Sequence, residues 1–102
     1  MKLHKTIPLH DLKDGAMRTV PVNKLWIALI RVGDRVFAIS DRCTHADCSL
    51  GTDGFLEGNT ITCGCHGGQT DITTGKALSY PVTEDAKVYK TIIKDSYIFI
   101  EL

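Results

Sequence analysis

An excess of charge of either sign is missing from this sequence. Lys plus Arg and Asp plus Glu are both 12, so the formal charge is zero with neutral histidine. Nucleic-acid binding needs a concentrated basic face, and this balance argues against it. Partner choice is left to local surface charge rather than to a global field. Long apolar runs are missing too. The longest is Leu25–Ile30, far short of the roughly 20 residues that span a membrane. No apolar segment follows the opening Met1–Thr6, which predicts no secretory signal and a cytoplasmic protein. No helical period survives beyond a turn or two, and no internal repeat is evident. At 102 residues the chain is expected to be one domain over 1–102. So short a chain buries a modest fraction of its unfolded surface, and a metal clamping two loops would add stability.

What the sequence does contain is strand and turn signals at close spacing. Thr6–Leu9 reads as a first strand weakened by Pro8, and His10–Gly15 as a polar turn. Ala16–Val22 reads as extended but interrupted at Pro21. Leu25–Val32 and Arg35–Ile39, joined by Gly33–Asp34, form the clearest hairpin. Phe55–Glu57 and Thr60–Thr62 form a second across Gly58–Asn59. Gln69–Ile72 continues as a strand, turns at Thr73–Gly75 and returns through Lys76–Leu78, before a connection stiffened by Pro81. Val88–Ile93 and Tyr97–Glu101 pair last, with Thr91, Ile93, Tyr97 and Phe99 suiting a half-buried sheet. The expected class is all-β, built of small antiparallel sheets with a two-loop site at one tip.

Between these strands lies the chemistry. Cys43 and His45 make one close pair and Cys63 and His66 another, with Cys48 and Cys65 beside them and Gly64, Gly67 and Gly68 around the second pair. Cysteines in the cytoplasm are usually reduced, so this clustering with histidine points to metal before disulfide. Thiolate and neutral imidazole suit zinc, copper and iron–sulfur centres. Two Cys and two His would close a tetrahedral zinc site, or hold a [2Fe–2S] cluster with thiolates on one iron and imidazoles on the other. Common zinc modules lead with two cysteines and end with two histidines. Here each arm brings one of each, the arrangement expected when each loop must reach both irons.

Cys43-Thr44-His45-Ala46-Asp47-Cys48 and Cys63-Gly64-Cys65-His66-Gly67 resemble the two cluster-binding boxes of Rieske proteins. The resemblance covers essentially the whole chain, and its nearest form is the small Rieske-type ferredoxin. It implies a Rieske-like fold, loops at about 43–54 and 63–69, and one [2Fe–2S] cluster. It implies Cys43 and Cys63 on one iron and His45 and His66 on the other. It also implies neighbouring sulfurs for Cys48 and Cys65, as a bridge or as two packed thiols. The implied role is one-electron transfer by a monomeric carrier, not an enzyme, between a flavin reductase and an oxygenase or other terminal acceptor. Imidazole ligation raises the potential to roughly −150 to +300 mV, against about −400 mV for plant-type clusters. Where high-potential members carry Ser and Tyr donors, this chain has Gly68 and Thr70, which implies the lower part of that range.

Two other readings stand beside this one. The first is the small Rieske subunit of a nitrite reductase-like complex, and the second is a zinc-stabilised interaction module. A Cys63/His66 nucleophile pair or a Cys63/Cys65 redox dithiol would leave Cys43 and His45 unexplained. His4 and His10 read as surface residues, Trp26 as core packing, and Asp47, Asp53 and Glu57 as solvated loop charges.

Overall fold

The apolar run from residue 25 to 30 does not alternate, and a strand with that pattern must be covered on both faces. The structure, a computed structural model describing residues 2–41, 49–64, 67–78 and 85–102, shows that arrangement. Strands β1 (Leu3–Pro8), β2 (Met17–Val22), β3 (Leu25–Val32), β4 (Arg35–Ser40), β8 (Val88–Lys94) and β9 (Tyr97–Glu101) form one antiparallel sheet. Its order is β1-β9-β8-β4-β3-β2. A second sheet, in the order β5-β6-β7, contains β5 (Phe55–Glu57), β6 (Thr60–Thr62) and β7 (Gln69–Asp71). One helical turn, α1 (Leu50–Asp53), precedes it.

Strand β3 serves two cores. Ile27 and Leu29 pack with Leu12, Val20, Val36, Ile98 and Ile100 on one side. Ala28 and Ile30 face the other way and pack with Ile39, Leu50, Ile61, Cys63 and Ile72. The small sheet and α1 therefore sit on the second face, and Cys63 belongs to the core that joins them to the large sheet. Burying each large apolar side chain contributes about 1.5–3 kcal/mol before entropy is counted.

Several local expectations shift. Strand β1 starts at Leu3, and a 3-10 turn takes Leu9–Asp11. Pro21 does not interrupt β2 but pairs with Trp26. The main-chain groups of Trp26 turn to the other side, where its carbonyl accepts the Asp41 N–H at 3.1 Å. That leaves the nitrogen of Pro21 on the open edge of the sheet, where a missing donor costs nothing. Trp26 itself is 62 % exposed, which corrects the expectation of core packing; it stands at the start of β3, beyond the part that the small sheet covers. In β9 the fully buried residues are Ile98 and Ile100, opposite Ile93 and Thr91, while Tyr97 and Phe99 are half-buried. Among the described residues, no helix is long and apolar enough to cross a membrane.

Candidate functional site

Three connections leave the described residues on the side of the small sheet, and each has a closed base. The first spans 42–48 and contains Cys43, His45 and Cys48; the second contains Cys65 and His66; the third, 79–84, contains Pro81. The placement of Cys43, His45, Cys48, Cys65, His66 and Pro81 lies outside the described residues. Cys63 and the three bases lie within them.

The first base is a polar clamp. Asp41 is only 4 % exposed, at the end of β4. Its Oδ1 accepts the Thr19 hydroxyl at 2.9 Å and the Gly51 N–H at 2.7 Å. Its Oδ2 accepts the Ser49 hydroxyl at 2.6 Å. The Asp41 carbonyl accepts the Leu50 N–H at 2.6 Å. Both ends of the 42–48 connection are thus tied to one residue. Ser49 also caps α1 by accepting the Thr52 N–H at 3.1 Å, a contact worth about 1 kcal/mol.

The second base is made by main chain. Cys63 leaves β6, donates its N–H to the Gly68 carbonyl at 2.8 Å and accepts the Gly67 N–H at 2.9 Å. Gly67 turns the chain with a φ of +78°, a conformation open to glycine at little cost. The Cys63 side chain is 1 % exposed and its thiol is free. Gly64 lies so close to α1 that an added Cβ would overlap the Asp53 carbonyl. This contact sets the start of the second loop directly against the helical turn that ends the first. A residue other than glycine would hold the two loops apart.

The third base uses another carboxylate. Asp85 Oδ1 accepts the Ala77 N–H at 2.8 Å, and the Ala86 N–H reaches the Gly75 carbonyl at 2.6 Å. Leu78 donates to the Gln69 carbonyl at 2.8 Å, which attaches this segment to β7. Nearby, the Asp71 carboxyl is held below the usual carboxylate range, first by the Thr73 hydroxyl at 2.6 Å and then by the Thr73 N–H at 2.8 Å.

The donor chemistry of the described residues fits iron–sulfur ligation. A free, buried thiol at the mouth of a tight loop is a soft ligand kept from water, which is what a thiolate-bound iron needs. Among the described residues, no three metal-binding side chains come together; Cys43, His45 and His66 lie outside them. His4 sits on β1 opposite Ile100, and His10 is exposed and pairs with Asp11 at 3.3 Å. Asp53 and Glu57 are exposed, as expected of solvated charges. Sequence reasoning missed Asp41 and Asp85. The readable signal was an Asp at the start of the first loop with an N-capping Ser eight residues later.

Comparison with known proteins agrees with this architecture. The Rieske [2Fe-2S] domain family matches residues 2–90. The chain is 38 % identical over 94 residues to the ferredoxin component of the naphthalene 1,2-dioxygenase/salicylate 5-hydroxylase systems of a Ralstonia species, covering 92 % of this chain and 89 % of that protein. Its structure is similar to the Sphingomonas yanoikuyae B1 ferredoxin, with a TM-score of 0.91, 32 % identity and 99 % of each chain covered. It is similar too to a chain of the complex of reduced oxygenase and oxidised ferredoxin in carbazole 1,9a-dioxygenase, with a TM-score of 0.88 and 33 % identity, covering 96 % of this chain and 91 % of that one. With two closed loop bases around a buried free thiol, and with relatives aligned over nearly their whole length, the chain belongs to the Rieske [2Fe-2S] domain family.

Proposed function

We propose that this protein is the ferredoxin component of a dioxygenase system, a cytoplasmic one-electron carrier that takes electrons from a flavin reductase and passes them to an oxygenase. The observation that carries this reading is the abutment of the two loops: Cys63 buried and free, with Gly64 set against the helical turn that closes the first loop. The names of its relatives supply the partner class. Residues 1–102 act as one unit in this reading.

One [2Fe–2S] cluster, when bound, supplies the one-electron chemistry. Cys43 and Cys63 would hold one iron and His45 and His66 the other, with the sulfurs of Cys48 and Cys65 side by side across the loops. The chain's own work is to bind and exclude water. Cys63 presents its sulfur from a core lined by Leu50, Ile61 and Ile72, and Gly67 and Gly68 bring no side-chain bulk to the loop. No bond chemistry on a substrate is required of any residue.

Metal and sulfide analysis tests the proposal. The purified protein is expected to be red-brown, with two irons and two acid-labile sulfides per chain, and to lose its colour when His45 and His66 are replaced. A colourless protein with one zinc per chain would overturn it.

A further inference from the structure

A buried carboxylate has to be compensated, and around Asp41 the compensation has a direction. A carboxylate accepts hydrogen bonds and donates none. Thr19 and Ser49 therefore each point their single hydroxyl proton at Asp41. The remaining contacts follow from that assignment. Thr19 Oγ1 lies 3.2 Å from Thr52 Oγ1, so Thr52 is the donor there, and Ser49 Oγ is left to accept the Thr52 N–H. The Gly51 N–H completes the cradle. A Cβ on Gly51 would lie 2.5 Å from Thr19 Oγ1 and 2.9 Å from Asp41 Oδ1, so the approach depends on glycine. Among the described residues no cationic side chain pairs with Asp41; its charge is met there by dipoles.

Closing a loop does not require a charge. A neutral amide would accept the Thr19 and Gly51 donors through its oxygen, and its NH2 would donate to the Ser49 hydroxyl, which turns its proton away. The position of the charge matters, because Asp41 is two residues from Cys43 and covalent geometry keeps their Cα atoms within roughly 7 Å. A negative charge held out of water at the root of a ligand-bearing loop is weakly screened and opposes the arrival of an electron.

We propose that Asp41 is a positioning residue for the metal centre: one side chain ties both ends of the first loop to β2, and its fixed charge lowers the reduction potential of the bound group. This rests on the cluster-carrying function proposed above. The two parts separate by substitution. Asp41→Asn keeps the shape and removes the charge, whereas Ser49→Ala keeps the charge and removes one strut.

The test compares native, Asp41→Asn and Ser49→Ala proteins as purified with their metal. For Asp41→Asn the expected result is native iron content, an unchanged visible spectrum and a midpoint potential shifted upward. For Ser49→Ala the expected result is an unshifted potential with release of iron to a chelator faster by roughly fivefold, the effect of one lost cap. An Asp41→Asn protein with full iron and a native potential would overturn the electrostatic role. An unchanged release rate in both Ser49→Ala and Thr19→Val would overturn the positioning role, and these two variants decide it even if Asp41→Asn cannot hold iron. Absence of iron from the native protein would instead refute the proposed function, leaving a different signature.

Discussion

The two faces of β3 are ordered by different means. Ile27 and Leu29 meet apolar side chains from β2, β4 and β9. Ala28 and Ile30 meet a smaller core, beyond which the chain is held by Asp41, the Cys63–Gly68 turn and Asp85. Dispersed burial tolerates change, because many contacts share the load. A clamp built from three or four hydrogen bonds does not share it, since losing one partner leaves the others buried and unsatisfied. On the proposed function, the large sheet should act as a scaffold that survives without metal, and the small sheet with its loops as a tip whose order depends on a few groups and on the cluster.

Leu29→Ala is the strongest perturbation of the scaffold. Leu29 is fully buried, and the substitution should cost about 2–5 kcal/mol in denaturant unfolding, with or without iron. Removal of iron should act on the other region. Hydrogen exchange should show β3 and β4 still protected and residues 61–64 and 69–72 exposed; equal loss in both would break the distinction between scaffold and tip. Gly64→Ala drives a methyl into the Asp53 carbonyl and should cost about 1–3 kcal/mol, read as iron lost during purification while the far-ultraviolet spectrum stays native. Asp85→Ala removes the acceptor for the Ala77 N–H and should cost about 0.5–1.5 kcal/mol, seen as faster exchange of that amide. A melting point equal to native with slow Ala77 exchange would show that the third base is held by other contacts.

The smallest effect is a matter of pH. The carboxyl of Asp71 has a folded pKa depressed below its unfolded value by the Thr73 hydroxyl and N–H. The folded state thus binds fewer protons than the unfolded state, and the stability it contributes is present above the unfolded pKa, about 3.9. It is lost as pH falls through the folded value. Asp71→Asn should flatten the acid limb by lowering stability above the unfolded pKa, at neutral pH included, and converge with native in strong acid; an identical acid limb would contradict this.

How far the sequence could be read follows the same division. The hairpins at Gly33–Asp34 and Gly58–Asn59 were legible because glycine marks their turns, with φ of +61° and +57°. The turn at Asn23–Lys24 was not, although it joins β2 to β3, because no glycine marks it and both residues adopt positive φ. A four-residue helix such as Leu50–Asp53 is too short to show a period. Trp26 was misplaced because composition says that a tryptophan is usually covered, whereas its place at the end of a strand leaves it open. Cys63 was recognised from its motif, and its burial adds what the motif could not supply. Asp41 escaped notice because a single acidic residue before a loop looks like any solvated charge until its three donors are seen.

A potentiometric titration followed by electron paramagnetic resonance would test the central claim most directly. The account predicts a one-electron wave in the lower part of the roughly −150 to +300 mV range, since Gly68 and Thr70 supply fewer donors to the cluster, with a signal that appears only on reduction. A protein that shows no reducible, iron-dependent signal across that range would contradict it.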